Sequence, residues 1–231
     1  LFAMKQPSST NFENDVLTKR EYNNYTQIKH PLLPFFVGVL QPENYNIIEF
    51  IRGLNMYHIS KAKLIFDEKV TIIFELMIII EFINRHNLVF RDLKPSNIII
   101  DTNKTAVLID FDRMVKIDDH CFTADFSSVF VDPEINEGNI SYANDIYSLG
   151  ILIYYIITEK IPKNIKEIES DEFSKYPEIQ QICKNCIKKL NERPSIYQLI
   201  VDFYMKYHSQ ININDFFEVG ENIYLDKCIS E

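Results

Sequence analysis

Apolar residues recur along the chain with two spacings, one of strands and one of helices. Residues 1–5 read as the end of a strand. Over 12–28 the apolar positions fall at helical intervals, with Asn11 or Asn14 as cap. His30-Pro31 ends that pattern, because a residue before proline is biased away from helical geometry. Two bursts of strand length follow at 33–40 and 45–51, parted by Gln41-Pro42-Glu43-Asn44. Beyond Lys69 the register changes: 70–84 is a long, very apolar helix of the kind buried in a large domain. Short strands are predicted at 98–100 and 106–109, an irregular stretch over 110–139, and helices near 143–158, 177–189 and 194–207. A mixed start and a mostly helical remainder predict an α+β chain in two lobes joined near residue 51, with a polar tail over 209–231.

Composition narrows the function. With 231 residues, 46% hydrophobic and 25% charged, the chain has ample core for a globular domain. Thirty-three acidic against 24 basic residues give a net charge of −9, which disfavours a nucleic-acid surface but leaves room for a phosphate ligand held beside a metal. Cys121, Cys183, Cys186 and Cys228 are too few and too scattered for a disulfide framework. The Cys183–Cys186 spacing suits a metal or redox pair, but no second pair or His cluster lies near, so two helical thiols in a reducing, cytoplasmic compartment are expected. No membrane span is expected: 70–83 is interrupted by Glu75 and Glu81, and 149–157 is too short. The opening at Leu1, with no basic-then-apolar leader, reads as a piece of something longer.

The chemistry concentrates in Phe90-Arg91-Asp92-Leu93-Lys94-Pro95-Ser96-Asn97, followed by Asp110-Phe111-Asp112. An Asp, an Asn five residues on and a second Asp after a short hairpin would gather oxygens around Mg²⁺, which takes few protein ligands and completes its shell with water and phosphate. The alternative is a set of solvated loop carboxylates.

These segments resemble the eukaryotic protein kinases, and the resemblance runs over about residues 1–207 with its marks in the family's order. It implies that Asp92 accepts the substrate hydroxyl proton, that Lys94 sits near the transferred phosphate as in serine/threonine members, and that Asn97 and Asp110 hold the metal. Phe2-Ala3-Met4-Lys5 is similar to the V-A-x-K strand, and Glu21 to the helix glutamate that pairs with its lysine. Residues 47–51 resemble the hinge, which makes Ile48 the gatekeeper and brings Glu49 and Ile51 to adenine through their backbone. Asp132-Pro133-Glu134 resembles A-P-E, with Glu134 expected to pair with Arg193. Asp145-Ile146-Tyr147-Ser148-Leu149-Gly150 resembles the start of the central helix, whose Asp holds the catalytic-loop backbone. Arg91 matches kinases whose activation segment is ordered by phosphorylation; Thr123 is the candidate acceptor, with Ser128 behind it, and Ser127 stands where the family has a threonine contacting the catalytic pair.

The resemblance thus implies a two-lobed fold: a truncated, β-rich small lobe and hinge over 1–51, a helical lobe over 52–208 and a tail over 209–231. It implies an ATP-dependent protein serine/threonine kinase with ATP and Mg²⁺ as cofactors and a protein as substrate. The alternative is a pseudokinase acting as a binding or scaffolding module. Three departures bear on that choice. No Gly-rich loop precedes Lys5. Asp112 replaces the glycine of D-F-G, where a Cβ would restrict the backbone and a third carboxylate would crowd the metals. Phe90 replaces the histidine before Arg-Asp, exchanging one flat ring for another that packs on Phe111.

Overall fold

Short β-branched and aromatic segments at the start pair into an antiparallel sheet. In this computed structural model, which describes residues 1–5, 12–41, 45–118, 128–135, 140–169 and 173–212, β1 (Phe2–Lys5), β2 (Phe36–Leu40) and β3 (Tyr45–Glu49) lie in the order β1–β3–β2. Ala3 faces Ile48 and Lys5 faces Asn46 across the β1–β3 ladder, and Phe36 faces Ile48 from β2. Strand alternation turns Ala3, Lys5, Asn46 and Ile48 inward and leaves Phe2 and Met4 exposed. Helix α1 (Phe12–Gln27) packs on the inward face, with Tyr22 and Tyr25 meeting Phe36. Its buried positions Glu21, Asn24 and Tyr25, with Ile28 just past the helix end, follow the helical repeat. Half of that stripe is polar.

The larger part is helical. After β4 (Gly53–Asn55) and the single turn α2 (Ile59–Ala62) comes α3 (Phe66–Arg85), twelve of whose twenty residues are buried. Strands β5 (Leu88–Val89), β6 (Ile98–Asp101), β7 (Ala106–Leu108) and β8 (Val115–Lys116) follow, β4–β6–β7 forming one sheet and β5–β8 another. Helix α4 (Tyr142–Thr158) is the central element, with fourteen of seventeen residues buried. Its first turn is capped reciprocally: Ser141 Oγ accepts from Ala143 N (3.2 Å) and Asn144 Oδ1 accepts from Ser141 N (2.8 Å). Helix α5 (Pro177–Cys186) opens on a proline and lies so close to α4 that a Cβ on Gly150 would stand 2.5 Å from that of Cys186. Cys183 and Cys186 are wholly buried in that contact, and burial pushes the Cys186 thiol up to about 12, so both serve as packing groups. Helix α6 (Ile196–Tyr207) is capped by Ser195 Oγ, which accepts from Gln198 N.

A small strand-rich part followed by a larger helical part matches the expected α+β, two-lobed architecture. The differences are local. The 33–40 strand starts only at Phe36, since Pro31 and Pro34 lack the N–H that a ladder needs. The 110–139 stretch contains β8, and β4, β5 and α2 went unread, because two to four residues are too few to show a period. Among the described residues no helix is long and apolar enough to cross a membrane.

Candidate active site

Asp145, in the first turn of α4, is wholly buried and organises the loop after β5. Its Oδ2 accepts from Phe90 N (2.7 Å) and its Oδ1 from Arg91 N (2.8 Å). Burial pushes the Asp145 carboxyl up to about 6, against the pull of those two N–H groups and of the Arg91 charge. Arg91 takes the left-handed conformation (φ +67°), which turns the chain toward Asp92. The Asp92 carboxylate is fixed from both sides. Asn97 Nδ2 donates to its Oδ2 (2.8 Å) and to its backbone oxygen (2.9 Å), while Lys94 Nζ lies 2.9 Å from Oδ1. Arg113 Nε stands 4.0 Å from Oδ2. The backbone bond Ile109 N to Asn97 O (2.8 Å) ties the start of β6 to the end of β7 and so sets Asn97 beside Asp110. Asn55 Nδ2 braces the loop from β4 by donating to Ser96 O (2.7 Å).

A second cluster meets the first at Asp110. Lys5 Nζ donates to Glu21 Oε1 (2.6 Å) and to Asp110 Oδ1, joining β1, α1 and the turn after β7. Asn46 Nδ2 supports Glu21 at Oε2 (3.3 Å). Burial alone would lower the Lys5 ammonium, yet the two carboxylates outweigh it and hold its pKa above the usual value. Burial raises Glu21 as well, against the pull of Lys5. Two anions share one cation, so the surplus negative charge keeps Lys5 protonated.

Aromatic rings continue the connection. Phe36 stacks on Tyr25 (6.0 Å), Tyr25 lies 4.4 Å from Phe111, and Phe111 meets Phe90 edge to face at 6.2 Å. Phe90 therefore packs on Phe111 as its ring shape suggests. The expected backbone problem at Asp112 does not arise: φ is +70° at Asp110 and is not positive at Asp112, so a Cβ at 112 costs nothing in this conformation. What Asp112 does add is charge. Burial, then the adjoining Asp110 carboxylate, push its pKa up, and its Oδ1 is buried without a hydrogen-bond partner.

The donor set fits a hard divalent cation. Asn97 commits its nitrogen to Asp92, and its side-chain oxygen takes only a 3.4 Å contact from Ser96 Oγ, so Asn97 and Asp110 would each offer such a cation an oxygen. Ile48 is buried on the central strand β3, flanked by Ala3 of β1 and Phe36 of β2, and the β1–β3 ladder ends at Glu49, so Ile51 lies past its last rung.

The expected Arg193–Glu134 contact is present, but a second carboxylate holds Arg193 more deeply. The buried partner of Arg193 is Asp132, both side chains being 1% exposed; Nη2 donates to Oδ1 at 2.9 Å and Nη1 to Oδ2. Glu134 is 44% exposed; its Oε1 accepts from Arg193 Nη2 at 3.3 Å and from Leu190 N at 3.1 Å. The shorter Asp132 side chain lies directly under α4, where Asn144 Nδ2 also reaches it (2.7 Å). Ser128 Oγ accepts from Phe130 N (3.3 Å), which closes the turn leading to Asp132. Thr123 and Ser127 lie outside the described residues. Sequence reasoning missed Asn24, Asn46 and Asn55. Asn24 alone carried a signal, standing one helical turn after Glu21 on the same face.

Comparison with known proteins identifies the family. The family model described as protein kinase domain matches residues 1–216. A probable serine/threonine-protein kinase of Dictyostelium discoideum is 27% identical over 220 residues, covering 86% of this chain and 37% of that protein. The probable serine/threonine-protein kinase PknB of Lactococcus lactis is 28% identical over 204 residues, covering 78% and 32%. Ribosomal protein S6 kinase alpha-6 of mouse is 30% identical over 176 residues, covering 70% and 22%. The chain thus spans about a third of the length of the first two relatives. With its loop, its Lys5–Glu21–Asp110 contact and this match along most of its length, the chain belongs to the protein kinase family.

Proposed function

We propose that this domain transfers the γ-phosphoryl group of ATP to serine or threonine hydroxyls of protein substrates. The observation that carries the reading is the convergence of Lys5 and Glu21 from the small part on Asp110, while Asp92, Lys94 and Asn97 stand fixed on the adjoining loop. Asp92 would accept the proton of the acceptor hydroxyl as its oxygen bonds to the γ-phosphorus and the bond to the β–γ bridging oxygen breaks. Lys94, already against Asp92, would follow the charge that moves onto the transferred group. Lys5, held cationic by its two carboxylates, would bind the non-transferred phosphates. Asn97 and Asp110 would hold Mg²⁺, which when bound neutralises phosphate charge and orients the group for in-line transfer. Adenine would lie between Ile48 and the backbone of Glu49 and Ile51. Lys94 and the serine/threonine-kinase relatives favour a hydroxyl on Ser or Thr.

The assay is phosphate transfer from labelled ATP to a serine/threonine peptide library by the intact protein. Asp92→Asn and Asp110→Asn should each lower turnover by about 100-fold or more. Turnover within a few-fold of wild type in both variants would remove the assignment.

One observation favours a second reading. The unpartnered Asp112 oxygen beside Asp110 adds negative charge where phosphates must come, as in a pseudokinase that binds without turnover. A Mg·ATP thermal shift abolished by Asp110→Asn, with no phosphate transfer by wild type, would select it.

A further inference from the structure

Helix α1 reaches the Asp110 turn from three inward positions. Glu21 does so through Lys5, Tyr25 through its ring on Phe111, and Asn24 directly. Asn24 is 4% exposed, and its amide nitrogen donates to Phe111 O (2.7 Å) and to Met114 O (2.9 Å). Both carbonyls belong to the segment between β7 and β8, which contributes no rung to either sheet. At its head Asp110 holds φ +70°, a conformation that is less favourable for residues with a Cβ, although Asp adopts it more readily than most. The Phe111 carbonyl is one residue past Asp110, so a donor fixed on it sets the direction in which the chain leaves the strained residue. The Met114 carbonyl fixes the far side of the turn. Both protons of one amide are used, and no apolar side chain of that size reproduces them.

We propose that Asn24 is a positioning residue that couples helix α1 to Asp110, so that the Lys5–Glu21 pair and the Asp110 carboxylate are assembled or lost together. The inference rests on the reading of Asp110 as a metal ligand. Asn24→Leu keeps the branched shape, with bulkier methyl ends, and removes both donors. Asn24→Asp keeps the shape and sets acceptors against acceptors. Asn24→Gln keeps both donors on a longer arm.

The test uses the intact protein, with Mg·ATP affinity by titration calorimetry, steady-state kinetics, and amide hydrogen exchange over α1 compared with α4. In Asn24→Asp and Asn24→Leu the assembled state becomes a minor population, so Kd and KM for Mg·ATP should rise about tenfold or more. At saturating nucleotide kcat should stay within about threefold, because ligand draws the assembled state back. Exchange over α1 should quicken while α4 is unchanged, and Asn24→Gln should recover part of both effects. Unchanged affinity and α1 exchange, or a loss of kcat and thermal stability with KM unaltered, would overturn the proposal and leave Asn24 an ordinary buried amide. Should wild type fail to bind Mg·ATP, the functional reading falls on its own, and faster α1 exchange in the variants still upholds the coupling while unchanged exchange refutes it. If Asn24→Asp does not fold, Asn24→Leu against Asn24→Gln decides by the same readouts.

Discussion

Replacing Asp132 should cost far more stability than replacing Glu134, although the family pattern assigns the ion pair to the glutamate. In Asp132→Asn the carboxylate charge and one of the two bonds from Arg193 are lost, and an amide N–H₂ faces a guanidinium that is 1% exposed. Removing one partner of a buried pair typically costs about 3–5 kcal/mol. Arg193 keeps its bonds to Ala143 O (2.9 Å) and Lys188 O (2.8 Å) and its place over the Tyr147 ring, 5.2 Å from the centroid, which argues for the lower end. A loss of about 3 kcal/mol in a domain of this size lowers Tm by roughly 10 °C. Glu134→Gln removes a half-exposed contact at 3.3 Å and should cost about 0–1 kcal/mol, a shift of no more than about 3 °C. Urea midpoints and thermal melts of both variants give the comparison. Adding Arg193→Met to Asp132→Asn should cost at least about 1 kcal/mol less than the two single losses summed, since the stranded cation is then gone. Equal losses from Asp132→Asn and Glu134→Gln, or strict additivity in the double variant, would refute the argument.

Two further outcomes follow from the site. Because φ at Asp112 is not left-handed, Asp112→Asn and Asp112→Gly should change turnover equally, through charge alone; a gain confined to the glycine variant in the peptide assay would restore the backbone explanation. Asp145, at about 6 in the fold against 3.8 unfolded, binds a proton on folding, so its contribution to stability falls by about 2 kcal/mol as pH rises from 4 to 6. His30, lowered by burial from 6.5 to about 4 and accepting Leu32 N at Nδ1 (3.1 Å), releases a proton on folding, and its contribution is lost by a similar amount as pH falls from 6.5 to 4. Relative to wild type, urea midpoints of Asp145→Asn should therefore drop on acidification and those of His30→Asn should rise; parallel profiles would show that neither group titrates as described.

Much of the fold was legible because its long helices have strong periods. Helices α3 and α4 are so nearly apolar all round that their burial could be read from composition alone, and the Pro177 and Ser195 starts of α5 and α6 are ordinary local signals. The segments bearing Asp92, Asn97 and Asp110 were equally plain, because their spacing is set by a hairpin of fixed length. What could not be read was cross-element geometry. Asn24, Asn46 and Asn55 are ordinary polar letters in the sequence, and only the fold brings their amides to Phe111, Glu21 and Ser96. Helix α1 shows the difficulty most clearly. Its inward stripe includes Glu21 and Asn24, so the hydrophobic pattern that reveals other helices is weak where the site needs it least apolar.

The displaced details share a cause. The family pattern led to strain at position 112 and an ion pair at 134; the atoms place the positive φ at Asp110 and add to the Arg193–Glu134 contact a buried carboxylate at Asp132. A motif identifies the segment, whereas depth decides which side chain in it carries the load. Asp132 is buried and reached by Asn144 and Arg193, so its charge meets little solvent and its loss cannot be made good by water. Glu134, two residues on, is bonded to Arg193 and Leu190 N through one oxygen but is 44% exposed, so solvent screens it. The same reasoning assigns the strain to Asp110, because Lys5 and the Asn24-bound turn hold it from both sides, while no comparable set of contacts forces Asp112 into a left-handed turn. A variant at 112 should then act through its charge, and one at 110 through both its charge and the path of the chain.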